Sequence, residues 1–224
     1  MATPKSASWV VRKILESRSL IMEHQQLQGN IHNRLQIMCT DTKFQIKQMY
    51  LKLIPVYARA EWKSLMLHTN THPRYRFILC LAEQQRLATM ERLLKIGIQI
   101  PAACAFCGHS LEYFSHLFFE CTITKKLWSR LCSWLGYNRS IGDWKTELEW
   151  ACKKAKSRRE RNAITSCVFA MTVALIWRER NIIRFEQAKF DDLQICREIE
   201  LHIHIRGKNI VKWKEALYQL NWIP

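Results

Sequence analysis

Glycine and proline are scarce in this chain, at six and five of 224 residues. Beyond Gly142 only Gly207 and Pro224 remain, so the second half has few natural places to interrupt a helix. Acidic residues are also few, 19 against 35 Lys and Arg, and aspartate occurs only at Asp41, Asp143, Asp191 and Asp192. Such dispersed carboxylates offer no two-metal catalytic site. Ser110 and Ser115 lie near histidines, but no acid and no nucleophile elbow accompanies them, which leaves a hydrolytic triad without support. Long apolar runs are missing too. The longest, Ala163–Trp177, would span roughly 22 Å as a helix, short of the roughly 30 Å hydrocarbon core. It also holds Thr165, Ser166 and Thr172, so it reads as a buried core helix, and no membrane partner is expected. Met1–Ser8 is polar and no apolar h-region follows, so the reading is an intracellular, reducing compartment, nuclear or cytoplasmic, with most thiols free. There is no internal repeat or low-complexity tract.

Positive charge and cysteine are what the chain has in plenty. The formal net charge is +16, which favours a polyanionic partner, most simply RNA or DNA. Of nine cysteines, three fall in the stretch from Ile100 to Cys121. There Cys104, Cys107, His116 and Cys121 are spaced C-x2-C-x8-H-x4-C. Three thiolates and one imidazole make a full ligand set for a tetrahedral structural Zn2+. The C-x2-C pair sits where Gly108 lets the chain turn back. His109 is a rival ligand, but it is too close to Cys107 for easy closure and would leave His116 without a role. No fifth ligand is evident, so the site is expected to be closed and structural. Cys39, Cys80, Cys132, Cys152, Cys167 and Cys196 read as core residues.

Apolar spacing predicts helices over 8–27, 45–54, 74–96, 122–135, 144–156, 157–187, 190–206 and 209–220. Residues 61–67 form a shorter helical or extended piece, and Lys43–Ile46 is a short strand or a helix start. Gly97 suits a left-handed cap, Gly136 follows the next helix, and Asp143 is an N-cap. Trp62, Trp128, Trp134, Trp144, Trp150, Trp177 and Trp213 read as anchors in or against the core. The fold class expected is mostly α: a helical bundle with a small zinc-pinned loop and room for one short strand or hairpin near the metal.

The order of these signals resembles a known family. Phe44, Ile46 and Lys47 start a helix, Trp62 follows, and Pro73 leads a helix that ends R-L-A-T-M-E-R-L at Arg86–Leu93. Then come C-A-F-C-G and S-H-L-F-F-E-C, with Lys125, Leu127 and Trp128 after them. This resembles the zinc-binding domain that follows reverse transcriptase in plant LINE-type non-LTR retrotransposons. The likeness covers roughly residues 43–135, and W-R-E-R-N at 177–181 looks like the helical tail of such proteins. The division it implies is an N-terminal helix and linker over 1–42, the zinc-binding domain over 43–135 and a helical tail over 136–224. It places the ligands on Cys104, Cys107, His116 and Cys121. It also implies a non-catalytic accessory to a polymerase domain, in contact with nucleic acid. The chain departs from the family at Cys80, where Trp is usual, and at Ala88, where Pro is usual. A Gly- and Trp-rich stretch is missing between Gly29 and Phe44, and no Y-x-D-D box occurs.

Candidate nucleic-acid contacts follow from charge and aromatic placement. Lys153, Lys154, Lys156, Arg158, Arg159 and Arg161 put six cations within nine residues, a source of salt-sensitive phosphate affinity. Arg178, Arg180 and Arg184 are expected to continue this positive face. Arg74, Arg76, Arg86 and Arg92 form a second cluster. Phe106, between the first two cysteines, is expected to be exposed and to stack on a base. Tyr113 is a further candidate, whereas Phe118 and Phe119 are expected to pack under the metal. His202 and His204 fall on different sides of a helix and do not share an ion. The competing reading is a zinc-stabilised structural or protein-interaction domain whose charge serves solubility.

Overall fold

The computed structural model describes residues 33, 39–40, 43–44, 51, 60–67, 70–99 and 101–220. The chain divides into two compact units, Met1–Arg59 and Ala60–Pro224. In the first, β1 (Cys39–Thr40) pairs antiparallel with β2 (Lys43–Phe44), Cys39 facing Phe44 and Thr40 facing Lys43. Lys43–Phe44 is thus strand rather than helix start. The expected helix over 8–27 lies outside the described residues, as does 45–54 apart from helical Leu51.

The second unit is helical, as expected. Its helices are α1 (Lys63–Met66), α2 (Pro73–Glu83), α3 (Met90–Lys95), α4 (Thr122–Trp134), α5 (Trp144–Ala155), α6 (Glu160–Glu186), α7 (Asp192–Lys208) and α8 (Lys214–Tyr218). A π-helical turn, His116–Glu120, precedes α4, and a 3-10 turn, Val211–Trp213, precedes α8. Everything is arranged around α6. Its middle, Ile164–Ile176, is buried on every side. A helix that is apolar all round must be enclosed, and α2, α5 and α7 pack around it. The buried hydroxyls of this run are satisfied within the helix: Thr165 donates to the Arg161 carbonyl, Ser166 to Asn162 and Thr172 to Val168. The segments read as 43–135 and 136–224 share this core wherever they fall within Ala60–Pro224.

Helix ends follow their capping chemistry. His72 and Pro73 start α2, with the His72 ring accepting from the Arg74 amide. Asp143 caps α5 through the Thr146 amide, as expected, and Asp191 caps α7 through Leu193 and Gln194. Asp192 pairs with Arg130 at 2.8 Å and Lys126 at 3.4 Å. Three of the four aspartates are therefore accounted for by caps and ion pairs.

One expectation fails here. The helix predicted over 74–96 is broken between Glu83 and Met90. Gln84 ends α2, Gln85 turns left-handed at φ 50°, and Arg86 N–H reaches back to the Leu81 carbonyl at 2.7 Å. This is a Schellman closure with glutamine where glycine is usual. The break inserts Leu87 and Thr89 into the interior, both nearly inaccessible. Tertiary burial has overridden a continuous apolar pattern.

Candidate metal centre

The site is assembled from two local devices. The first is a hairpin. Ala103 pairs with Leu111, the Cys104 amide donates to Ser110, and the Glu112 amide donates to Ala102. Gly108, at φ 71°, closes the turn, and its amide donates to the Cys104 carbonyl. The second is the π-helical turn. In an α-helix, residues five apart point about 140° away from each other. The wider turn closes a hydrogen bond from the Cys121 amide to the His116 carbonyl at 2.8 Å and puts both residues on one side. Phe118 and Phe119 are fully buried beneath them, among Trp144, Trp128 and Phe169.

Cys104, Cys107, His116 and Cys121 bring their ligand atoms to within 4.8 Å of one another. Cys104 Sγ lies 4.0 Å from Cys121 Sγ, and Cys107 Sγ lies 3.4 Å from His116 Nε2. A tetrahedral zinc with bonds of about 2.3 Å to sulfur and 2.0 Å to nitrogen would set these edges near 3.8 and 3.5 Å. Donor set and spacing both fit the ion. His109, the rival ligand, is exposed and outside the cluster.

The electrostatics are those of crowded sulfurs sharing protons. The hydrogen bond between the two sulfurs lowers the Cys121 thiol to about 5 and, together with burial, raises that of Cys104. The amides of Ile123 and Thr124, in the first turn of α4, also favour the Cys121 thiolate. Three thiolates this close repel one another unless a cation joins them. Nearby carboxylates are otherwise engaged. Glu120 accepts from Tyr113 Oη at 2.8 Å and Ser115 Oγ at 2.6 Å. Glu112 is fully buried and belongs to a clamp that sequence reasoning missed.

In that clamp, Arg180 donates to Glu112 Oε1 through Nε at 3.0 Å and Nη2 at 2.6 Å. Arg184 reaches Glu112 Oε2 at 3.1 Å and also donates to the Ala103 carbonyl. The Met90 amide adds a bond to Oε1 at 3.2 Å. One carboxylate thus ties the metal hairpin to α6 and to the start of α3. The signal was present as an i,i+4 arginine pair, Arg180 and Arg184, and an acid, Glu112, between Cys107 and His116. Arg180 and Arg184 accordingly do not extend a free positive face, contrary to expectation. Nor does Arg178, which Glu198 holds through both oxygens at 2.7 Å.

The other expected contact residues are placed as follows. Lys153, Lys156, Arg158 and Arg159 are exposed at the α5–α6 junction and make no ion pair among the described residues. Lys154 lies over the Tyr137 ring at 4.3 Å, and Arg161 donates to the Leu135 carbonyl at 2.9 Å. Phe106 differs from expectation: it is half-buried, edge-on to Phe190 with centroids 4.8 Å apart. It packs because the hairpin leans on the α6–α7 connection. In the second cluster, Arg74, Arg86 and Arg92 are exposed, and Arg92 donates to the Gln85 carbonyl at 2.7 Å. Among the described residues no helix is long and apolar enough to cross a membrane.

Comparison with known proteins bears on the same stretch. Residues 44–128, which include the hairpin, the π-helical turn and all four ligands, match the family model described as zinc-binding in reverse transcriptase. No curated protein and no solved structure matches the chain.

Proposed function

We propose that this chain is a non-catalytic, zinc-pinned accessory module of a reverse transcriptase derived from a plant LINE-type non-LTR element, and that it contacts RNA or DNA. The convergence of four ligand atoms within 4.8 Å carries this reading, inside a stretch matching a reverse-transcriptase zinc-binding family. Cys104, Cys107, His116 and Cys121 hold the ion. Bound zinc supplies a fixed divalent charge that keeps the sulfurs deprotonated and ties the hairpin to the π-helical turn. Lys153, Lys156, Arg158 and Arg159 supply phosphate contacts that release counterions and need no base sequence. Lys154 and Arg161 support this surface from Tyr137. A polymerase domain is the expected partner.

The metal half is tested with Cys107→Ser. The parent carries about one zinc per chain and unfolds in chelator, whereas the variant loses the metal and its cooperative unfolding transition. A variant that keeps a full equivalent of zinc and the parent's urea midpoint removes the metal reading. The nucleic-acid half is tested by retention of single-stranded RNA and DNA, with affinity falling steeply as salt rises. A flat response is incompatible with phosphate contacts.

One observation favours a second reading as a protein-interaction domain. Leu201, Ile205, Val211 and Tyr218 are 52%, 55%, 77% and 90% exposed along α7, the 3-10 turn and α8. A protein that self-associates through this face, yet ignores nucleic acid, would fit that reading instead.

A further inference from the structure

The long helix α6 presents Trp177, Asn181 and Phe185 at successive i,i+4 positions, so the three share one face near its C-terminal end. Across from them stand Arg74, Tyr75 and Ile78 of α2, and the two helices enclose a cavity of about 340 Å³. That volume is at the small end of ligand sites, suited to a flat ring rather than a folded segment. Phe185 is 80% exposed at the mouth although its ring has no polar atom to offer water.

Resting on the nucleic-acid reading above, we propose that this cavity is a binding site for one unpaired base of an RNA or DNA strand. Phe185 supplies the exposed stacking face, with Tyr75 and Trp177 in the walls. The Asn181 side-chain oxygen accepts from Arg180 Nη1 at 2.9 Å. That leaves its NH2 group as the donor for a base acceptor such as the O4 of thymine or uracil. Arg74 is exposed on the open side, where the sugar–phosphate chain would pass. The charge balance at the wall suits an anionic strand. Glu198 is already neutralised by Arg178, and Glu186, the one acid in the lining, is exposed to solvent. The cavity is also separate from the α5–α6 cations. Some twenty residues of α6 lie between Arg159 and Asn181, roughly 30 Å along the axis, so the two places would engage different parts of one strand.

The test uses the full zinc-loaded chain with a short fluorescent oligothymidylate and an abasic strand of the same length. The parent is expected to prefer the base-bearing strand about tenfold, the order of one stacked base. Phe185→Ala should lose most of that preference while binding the abasic strand as the parent does, with zinc content unchanged because the ring is exposed. If the parent binds both strands alike, or if Phe185→Ala keeps the preference, the base site is refuted and phosphate binding stands. If the parent binds neither strand at low salt, the nucleic-acid reading and the base site fall together.

Discussion

Replacing Glu112 with alanine is the sharpest perturbation available, because one side chain holds three parts of the structure. Its carboxylate is fully buried, and Arg180 opposite is only 2% exposed. Four hydrogen bonds end on its two oxygens: two from Arg180, one from Arg184 and one from the Met90 amide. Truncation leaves a guanidinium enclosed without its counter-ion. Removing one partner of a buried pair destabilises by about 3–5 kcal/mol, much of it the burden of the stranded charge rather than the strength of the lost contact. Set against the ~5–15 kcal/mol that holds a folded domain together, this is a large share. Glu112→Gln keeps an acceptor but not the charge and should fall between the parent and the alanine variant.

The assay is urea unfolding with zinc in excess, so that metal loss does not enter the comparison. The double variant Glu112→Ala/Arg180→Ala separates stranded charge from lost packing. If the charge argument holds, the second substitution relieves part of the first, and the pair falls short of the summed single effects by roughly 1–3 kcal/mol. Additive effects, or a Glu112→Ala loss below about 1 kcal/mol, would refute the clamp. The expected loss is also local to the metal. Arg184 donates to the Ala103 carbonyl, one residue before the first ligand, so zinc should dissociate faster from Glu112→Ala than from the parent.

Two further outcomes are expected. Gln85→Gly should raise stability by about 0.5–1 kcal/mol, since glycine adopts the left-handed turn without strain while the Arg92 contact goes to the backbone and survives. The urea midpoint should rise at constant slope, and a fall would show that the glutamine side chain contributes more than its backbone costs. The triple variant Lys156→Ala/Arg158→Ala/Arg159→Ala should lower the slope of log affinity against log salt by about 2 for a single strand. An unchanged slope would place the phosphate contacts elsewhere.

The Cys/His cluster was legible because its signal is local. Cys104, Cys107, His116 and Cys121 lie within one short stretch, and ligand chemistry admits few residue types. Gly97 and Gly136 were equally readable as helix ends, and both adopt positive φ with Schellman closures, Ile98 N–H to the Leu93 carbonyl and Tyr137 N–H to Cys132. The same closure after α2 went unread because Gln85 stands in the glycine position. A helix former in a left-handed turn carries no mark in the sequence. Only the burial of Leu87, supplied by distant parts of the chain, makes the break worthwhile.

The arginines of α6 show a different limit. A charge run reads as one face when nothing tells which members find partners far along the chain. Arg180 meets Glu112 across 68 residues and Arg178 meets Glu198 across 20, so neither pairing is visible as helix spacing. Subtracting these ion pairs takes the α6 arginines out of the positive surface and leaves the α5–α6 junction as a cluster separate from the exposed Arg74, Arg86 and Arg92. The excess charge of +16 is a property of the whole sequence, but its availability to a polyanion is decided by which cations remain unpaired after folding. Lys153, Lys156, Arg158 and Arg159 remain so among the described residues, whereas Arg178, Arg180 and Arg184 are consumed in holding the helices and the metal hairpin together. Neutralising the first set should therefore weaken strand binding with little change in stability. Removing Arg180 should do the reverse, and a variant set that swapped those two outcomes would overturn this division of the charge.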